Sequence, residues 1–162
     1  MRKWLPILLA LLAAGCVDRS RVPVMGLWTG GFYADKGQAF KGYLQLYRTG
    51  DKFKMRLASK DQAIDFDGTW TVDKRRIVLS VGDIKFDNPT EEDQKALGLK
   101  IIQPDEVRSA YSKPITLDLD QGETKLGGLT MTLGGLSGKH EFSKGEAARN
   151  SQKVLDDLRK NP

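Results

Sequence analysis

The sequence predicts an all-β fold, an eight-stranded antiparallel up-and-down barrel with a short helical insertion and a C-terminal α-helix. Three observations lead there. From Gly26 onward apolar residues recur with a period of two, clusters of turn-forming residues punctuate the alternation, and the period lapses once, between 88 and 114, where helix signals replace it. Eight short strands in an open sheet would leave two unpaired edges, and closure removes both. A barrel of that size has an interior that side chains can fill or that can hold one small ligand.

The chain opens with Arg2 and Lys3, an apolar run from Trp4 to Ala14, then Gly15 and Cys16, the only cysteine. A basic start, a run of roughly 7–15 apolar residues and small residues at the cut are the parts of a secretory signal. The run is about half the ~20 residues that span a bilayer. Val17 to Met25, carrying Asp18, Arg19, Ser20, Arg21 and Pro23, has little to pack and reads as a tether, with folded structure expected from Gly26. Without the signal roughly 150 residues remain, enough for one domain with a core. A single cysteine forms no internal disulfide, so stability must come from packing. The net charge of +5 falls to roughly +3 without Arg2 and Lys3. That surplus implies no nucleic-acid partner and is compatible with weak attraction to an anionic lipid or polymer.

Trp28, Gly30 and Phe32 share one parity, Leu44 and Leu46 oppose Tyr43, Gln45 and Tyr47, and Phe53, Met55 and Leu57 oppose Lys52, Lys54 and Arg56. Turns fall at Asp35-Lys36-Gly37, Thr49-Gly50-Asp51, Lys60-Asp61 and Asp73-Lys74. Ile64 and Phe66 lead through Trp70 to Val72, and Ile77, Leu79 and Val81 return, which makes five strands joined by hairpins. Asn88-Pro89 then starts a helix through Thr90 to Leu97 that Gly98 ends, and Gln103-Pro104-Asp105 opens a second helical turn reaching Tyr111. Strands resume at Ile115, Leu117 and Leu119, continue with Leu129, Met131 and Leu133, and finish with His140 and Phe142. The glycine pairs Gly127-Gly128 and Gly134-Gly135 mark turns and bends around the strand from 129 to 133. Ser143-Lys144-Gly145-Glu146 has the spacing of a capping box, and Ala147, Ser151, Val154 and Leu158 form a narrow apolar stripe, so a helix over 144–160 is expected against the outside of the sheet.

Leu12-Ala13-Ala14-Gly15-Cys16 resembles the lipobox of bacterial lipoproteins. That resemblance implies that Cys16 becomes the acylated first residue of the mature chain, carrying palmitate-type chains. With Val17 and not aspartate after the cysteine, it implies residence on the outer membrane, facing the periplasm. Two or more acyl chains make such attachment lasting, because each buried methylene contributes about 0.8 kcal/mol. Gly26-Leu27-Trp28 at the first strand, the succession of hairpins and a helix after the last strand look like the lipocalin-like, or calycin, small barrels. Several periplasmic lipoproteins, including the amino-terminal module of the copper-resistance envelope-stress lipoprotein, are similar in layout. The resemblance implies that Trp28 plugs one end of the barrel. The Cys-x-x-Cys of the copper-linked protein is missing here, so metal binding is not implied.

Trp28, Phe53, Met55, Leu57 and Trp70 are expected to face the interior, as core or as the lining of a ligand cavity. Lys52, Lys54 and Arg56 point together, and Lys74, Arg75 and Arg76 occupy a neighbouring turn, a cationic surface suited to lipid headgroups, acidic polysaccharide or an acidic partner. Asp65 with Asp67, and Asp118 with Asp120, share strand faces and are read as solvated carboxylates rather than as a cation site. One histidine and one acylated cysteine make no metal set, and His140 alone could serve as a base, with no nucleophile in a recognisable motif. The phosphate-loop pattern fails at Gly134 to His140, where three residues rather than four separate the glycines. The expectation is therefore a non-enzymatic, cofactor-free, lipid-anchored envelope protein. It binds a small apolar or amphipathic ligand inside the barrel, with 88–114 as a lid, or else has a filled barrel and acts on a protein partner, as an assembly or stress factor or an inhibitor of a secreted hydrolase.

Overall fold

The computed structural model describes residues 23–35 and 37–145. Among the described residues nine strands form one sheet: β1 (Gly26–Ala34), β2 (Gly37–Leu46), β3 (Lys52–Ala58), β4 (Ala63–Asp73), β5 (Arg76–Asp87), β6 (Ile115–Leu119), β7 (Lys125–Gly128), β8 (Met131–Leu133) and β9 (Leu136–Lys144). All pairings are antiparallel and follow chain order from β1 to β7, and β9 closes the ring by pairing with β1 on one side. On its other side β9 meets β8 near its start, where Met131 faces Gly138, and β7 near its end, where Lys125 faces Ser143. β7 and β8 thus share one place in the wall, and the barrel is eight strands round.

The period of two puts one face of each strand into a single contiguous apolar cluster, from Trp28 on β1 to Phe142 on β9. A wall this tightly curved needs points where a strand bends against its neighbour. At the inward position Gly42 a Cβ would run into the carbonyl oxygen of Arg56 on β3. Only a residue without a side chain lets β2 coil there.

One end of the barrel gathers the start of β1, the end of β9 and the turns joining β2 to β3, β4 to β5 and β6 to β7. There Trp28 is fully buried, and its indole Nε1 donates to the Val24 carbonyl at 2.8 Å. The Lys144 ammonium lies 5.3 Å from the centre of its ring. Ordered packing therefore starts before Gly26: Val24 is fully buried, because its side chain joins the core and its carbonyl satisfies a tryptophan that would otherwise bury a bare donor.

The other end is closed by the insertion. Helix α1 (Glu91–Leu97) has Thr90 as its N-cap, accepting from the Asp93 amide at 3.2 Å, and ends at Gly98 in the left-handed region. Its cap falls one residue beyond Asn88-Pro89, and the helix buries no side chain. Helix α2 (Pro104–Ala110) turns Val107 inward, and Tyr111 follows into the core. The connecting chain is held by Gln62, buried between β3 and β4, whose side chain donates to the Ile102 carbonyl at 2.8 Å and accepts from the Ile102 amide at 2.9 Å. This pair mimics one rung of a sheet. Gln62→Ala strands both backbone groups of Ile102 and is expected to cost about 2–3 kcal/mol in a urea melt. A loss below about 0.5 kcal/mol would mean that the insertion is held elsewhere.

The structure departs from the sequence expectations at β7–β8 and at the end of β9. By alternation Leu129 falls in phase with Met131 and Leu133, yet it is 68% exposed and lies outside the ladder. The inward residue of β7 is Leu126, so parity slips across Leu129-Thr130 and one strand becomes two. Gly127 and Gly128 accordingly sit within β7, whereas Gly134 and Gly135, both with positive φ, form the two-residue turn into β9. Ser143 and Lys144 are not a helix start. Both belong to β9, where Ser143 pairs with Thr29 and with Lys125. The remainder of the expected C-terminal helix, from 146, lies outside the described residues, as do Cys16 and the tether as far as Val22.

Candidate functional site

All five residues predicted to face inward do so. Trp28, Phe53, Met55, Leu57 and Trp70 are each no more than 1% exposed and belong to the same cluster as Phe32, Leu44, Phe66 and Phe142. Side chains of this size take up the width that an eight-stranded barrel encloses. Trp70 has a second role. Its indole Nε1 donates to the Tyr47 carbonyl at 3.1 Å, and its backbone amide donates to the Asp51 carbonyl at 2.7 Å, so it fixes both sides of the turn between β2 and β3 from within.

His140 faces inward and is 1% exposed. Its Nε2 lies 3.0 Å from the Tyr111 hydroxyl, and its ring packs edge-on against Phe32 and parallel to Phe142. Nδ1 is buried without a well-aligned partner. Desolvation lowers the imidazole pKa from 6.5 to about 4, with the Gly31 backbone acting weakly in the opposite direction, so the ring is neutral at physiological pH. Burial likewise pushes the Tyr111 phenol well above its ordinary value. On sequence grounds His140 is the one available base. The structure seals it beneath α2, away from anything in solvent, where it ties the insertion to the barrel.

The predicted cationic face divides. Lys52, Lys54 and Arg56 do point outward together, but the next strand answers two of them. Arg56 Nη1 is 2.7 Å from Asp65 and its Nη2 3.6 Å from Asp87, and Lys54 is 3.9 Å from Asp67. The carboxylates Asp65 and Asp67, read as merely solvated, are thus one side of an ion-pair ladder across β3 and β4. In the other cluster Arg76 pairs with Asp118 at 3.1 Å, and Arg75 Nε donates to the Leu119 carbonyl at 3.2 Å. Lys74 is exposed in the turn. Asp120 does not partner Asp118 but closes the turn into β7. Partial desolvation, which acts upward on its carboxyl, is outweighed by hydrogen bonds from the Lys125 and Thr124 amides, the Thr124 hydroxyl and the Gly122 amide, and its pKa is lowered. Among the described residues no three His, Cys, Asp or Glu side chains converge as a metal set.

What sequence reasoning missed is a groove of about 710 Å³ on the outer wall, lined by Tyr47, Arg48, Thr49, Lys52, Lys54, Asp67, Gly68, Thr69, Gly82 and Asp83, with Phe53 beneath. A bulge forms it. Asp67 pairs with Asp83 but Gly68 pairs with Val81, so Gly82 is left over and the wall dips between β4 and β5. The signal was legible in Val81-Gly82-Asp83, where a lone glycine breaks a strand's alternation. Tyr47 is 41% exposed at the rim. Arg48 and Lys52 make no ion pair with a described residue, whereas Asp83 faces Lys85 at 3.7 Å as Asp67 faces Lys54.

No family model and no curated protein matches the chain. Among solved structures it is similar to a redesigned β-barrel at 16% identity, with 82% of this chain and all of that one covered and a TM-score of 0.45. The class of protein is set by the strand pairing itself: a closed eight-stranded antiparallel β-barrel with both ends covered.

Proposed function

We propose that the protein is a non-enzymatic envelope lipoprotein, acylated at Cys16 and held on the periplasmic face of the outer membrane, in which the barrel is a filled scaffold and the outer surface carries the function. Its protein-level role is that of an interaction factor in the envelope, in assembly, in stress response or as an inhibitor of a secreted hydrolase. The observation that carries this reading is the interior: Trp28, Phe53, Met55, Leu57 and Trp70, the residues that a cargo would touch, are packed into one cluster beneath Trp28 at one end and Tyr111 at the other. A carrier of small apolar molecules has less support, since a preformed site needs room that these side chains occupy. The finer reading of the barrel as lipocalin-like is supported by Gly26-Leu27-Trp28 opening β1, with Trp28 buried at the end where that strand begins.

Intact-mass measurement of the protein extracted from membranes tests the anchor: a mature chain beginning at an acylated Cys16 is expected, and Cys16→Ser should leave the chain unacylated and unprocessed. An unmodified thiol on a cleaved chain would refute the assignment. Native mass spectrometry of the same preparation tests the scaffold, with no retained small molecule expected. A stoichiometric apolar adduct would restore the carrier.

A further inference from the structure

We propose that the groove over the β4–β5 bulge is the surface by which the barrel settles onto anionic phospholipid in the membrane that anchors it; this rests on the acylation of Cys16. The occupant follows from reach and charge. Pro23, the first described residue, stands seven positions after Cys16, so in any conformation the barrel lies within about 25 Å of an acylated Cys16. The chain enters at β1, where Gly26 pairs with Leu46, and the groove's rim, Tyr47 to Lys52, continues directly from Leu46. The tether therefore brings this end of the barrel, and this lip of the groove, to the bilayer.

The groove's chemistry fits a phosphate-bearing headgroup. Arg48 and Lys52 supply positive charge that no described carboxylate answers, while Asp67 and Asp83 are turned to Lys54 and Lys85. Thr49 and Thr69 line the same groove and carry hydroxyl groups able to donate. Tyr47 supplies an amphipathic ring of the kind that resides at headgroup depth, and Leu27, 48% exposed on the adjoining strand, adds apolar surface to the same wall. Trp70 keeps the rim in place from inside. A second outer-wall groove, over β1, β6, β7 and β9, is lined by Asp118, Asp120, Glu141 and Lys125, with Asp118 answered by Arg76 and Glu141 by Lys139, and offers no comparable surplus of positive charge.

The test is hydrogen exchange on the acylated full protein reconstituted in phosphatidylcholine vesicles with and without about 30% phosphatidylglycerol. Backbone amides from Arg48 to Lys54 are expected to exchange at least about threefold more slowly in the anionic vesicles, and the difference should vanish in about 0.5 M salt. The Gly134-Gly135 turn at the far end should not change. Arg48→Glu with Lys52→Glu should abolish the slowing. Equal exchange in the two vesicles, slowing that survives high salt, or slowing retained in the double variant would each overturn the proposal. The salt arm needs no variant and stands even if the double substitution misfolds. Slowing by glycerol phosphate in detergent, without vesicles, would make the groove a soluble-phosphate site and overturn membrane docking. Intact mass reports acylation separately, so an acylated protein without slowing refutes docking alone, and an unacylated one refutes the anchor.

Discussion

Gly42→Val is expected to remove the folded barrel from solution, or to destabilise it by more than about 3 kcal/mol, a large part of the ~5–15 kcal/mol that holds a domain of this size together. Gly42 faces inward on β2, and any Cβ there meets the Arg56 carbonyl oxygen, a backbone atom that cannot rotate away. Relief would require β2 and β3 to part where Gly42 pairs with Leu57, opening the wall beside a fully buried residue. The control is Gly127→Ala on β7, where a Cβ meets nothing within 4 Å and φ is not positive. It should shift stability by less than about 0.5 kcal/mol, or improve it slightly by restricting the unfolded chain. Similar urea midpoints for the two variants would refute the role given to Gly42.

Acidification should destabilise the protein through His140. The buried ring is neutral, with a pKa of about 4 against 6.5 in the unfolded chain. Between those values the unfolded state binds the proton and the folded state does not, so stability rises with pH across that window. The contribution is complete above about pH 6.5, is lost as pH falls toward 4, and changes no further below. The shift corresponds to roughly 3 kcal/mol. Comparing urea melts of the wild type and His140→Leu from pH 7 to pH 4 isolates the effect, because the carboxylates titrate alike in both. The wild type should lose roughly 3 kcal/mol more than the variant. Tyr111→Phe, which removes the hydroxyl 3.0 Å from Nε2 but leaves the ring buried, should keep the slope. Parallel pH profiles for wild type and His140→Leu would mean that the ring is not held neutral in the fold.

Much of this architecture is legible in the sequence. Alternation named the inward residues of β1 to β6 because a strand has a period of two and half its surface must be dry. Gly98 and Pro104 marked the insertion's helices for the reasons that place glycine after a helix and proline at its first turn. The phase slip at Leu129 was not legible, since Leu129, Met131 and Leu133 alternate faultlessly on paper. Only the ladder with β9, which β7 and β8 meet at separate stretches, shows that Leu126 rather than Leu129 is inside. The cationic face was half legible for a similar reason. Lys52, Lys54 and Arg56 could be placed on one face from sequence, whereas Asp65 and Asp67 could be set opposite them only by the register of β3 against β4.

The sequence by itself therefore determined that the chain forms a meander of hairpins with a wet and a dry face, interrupted once by helix, because those are local properties of neighbouring residues. Tertiary structure alone decided which charges are neutralised, which imidazole is sealed in, and where the wall dips to make a groove. Each of these depends on which residues from distant strands come to lie opposite one another, and that pairing is set by the closing of the ring rather than by any stretch of chain.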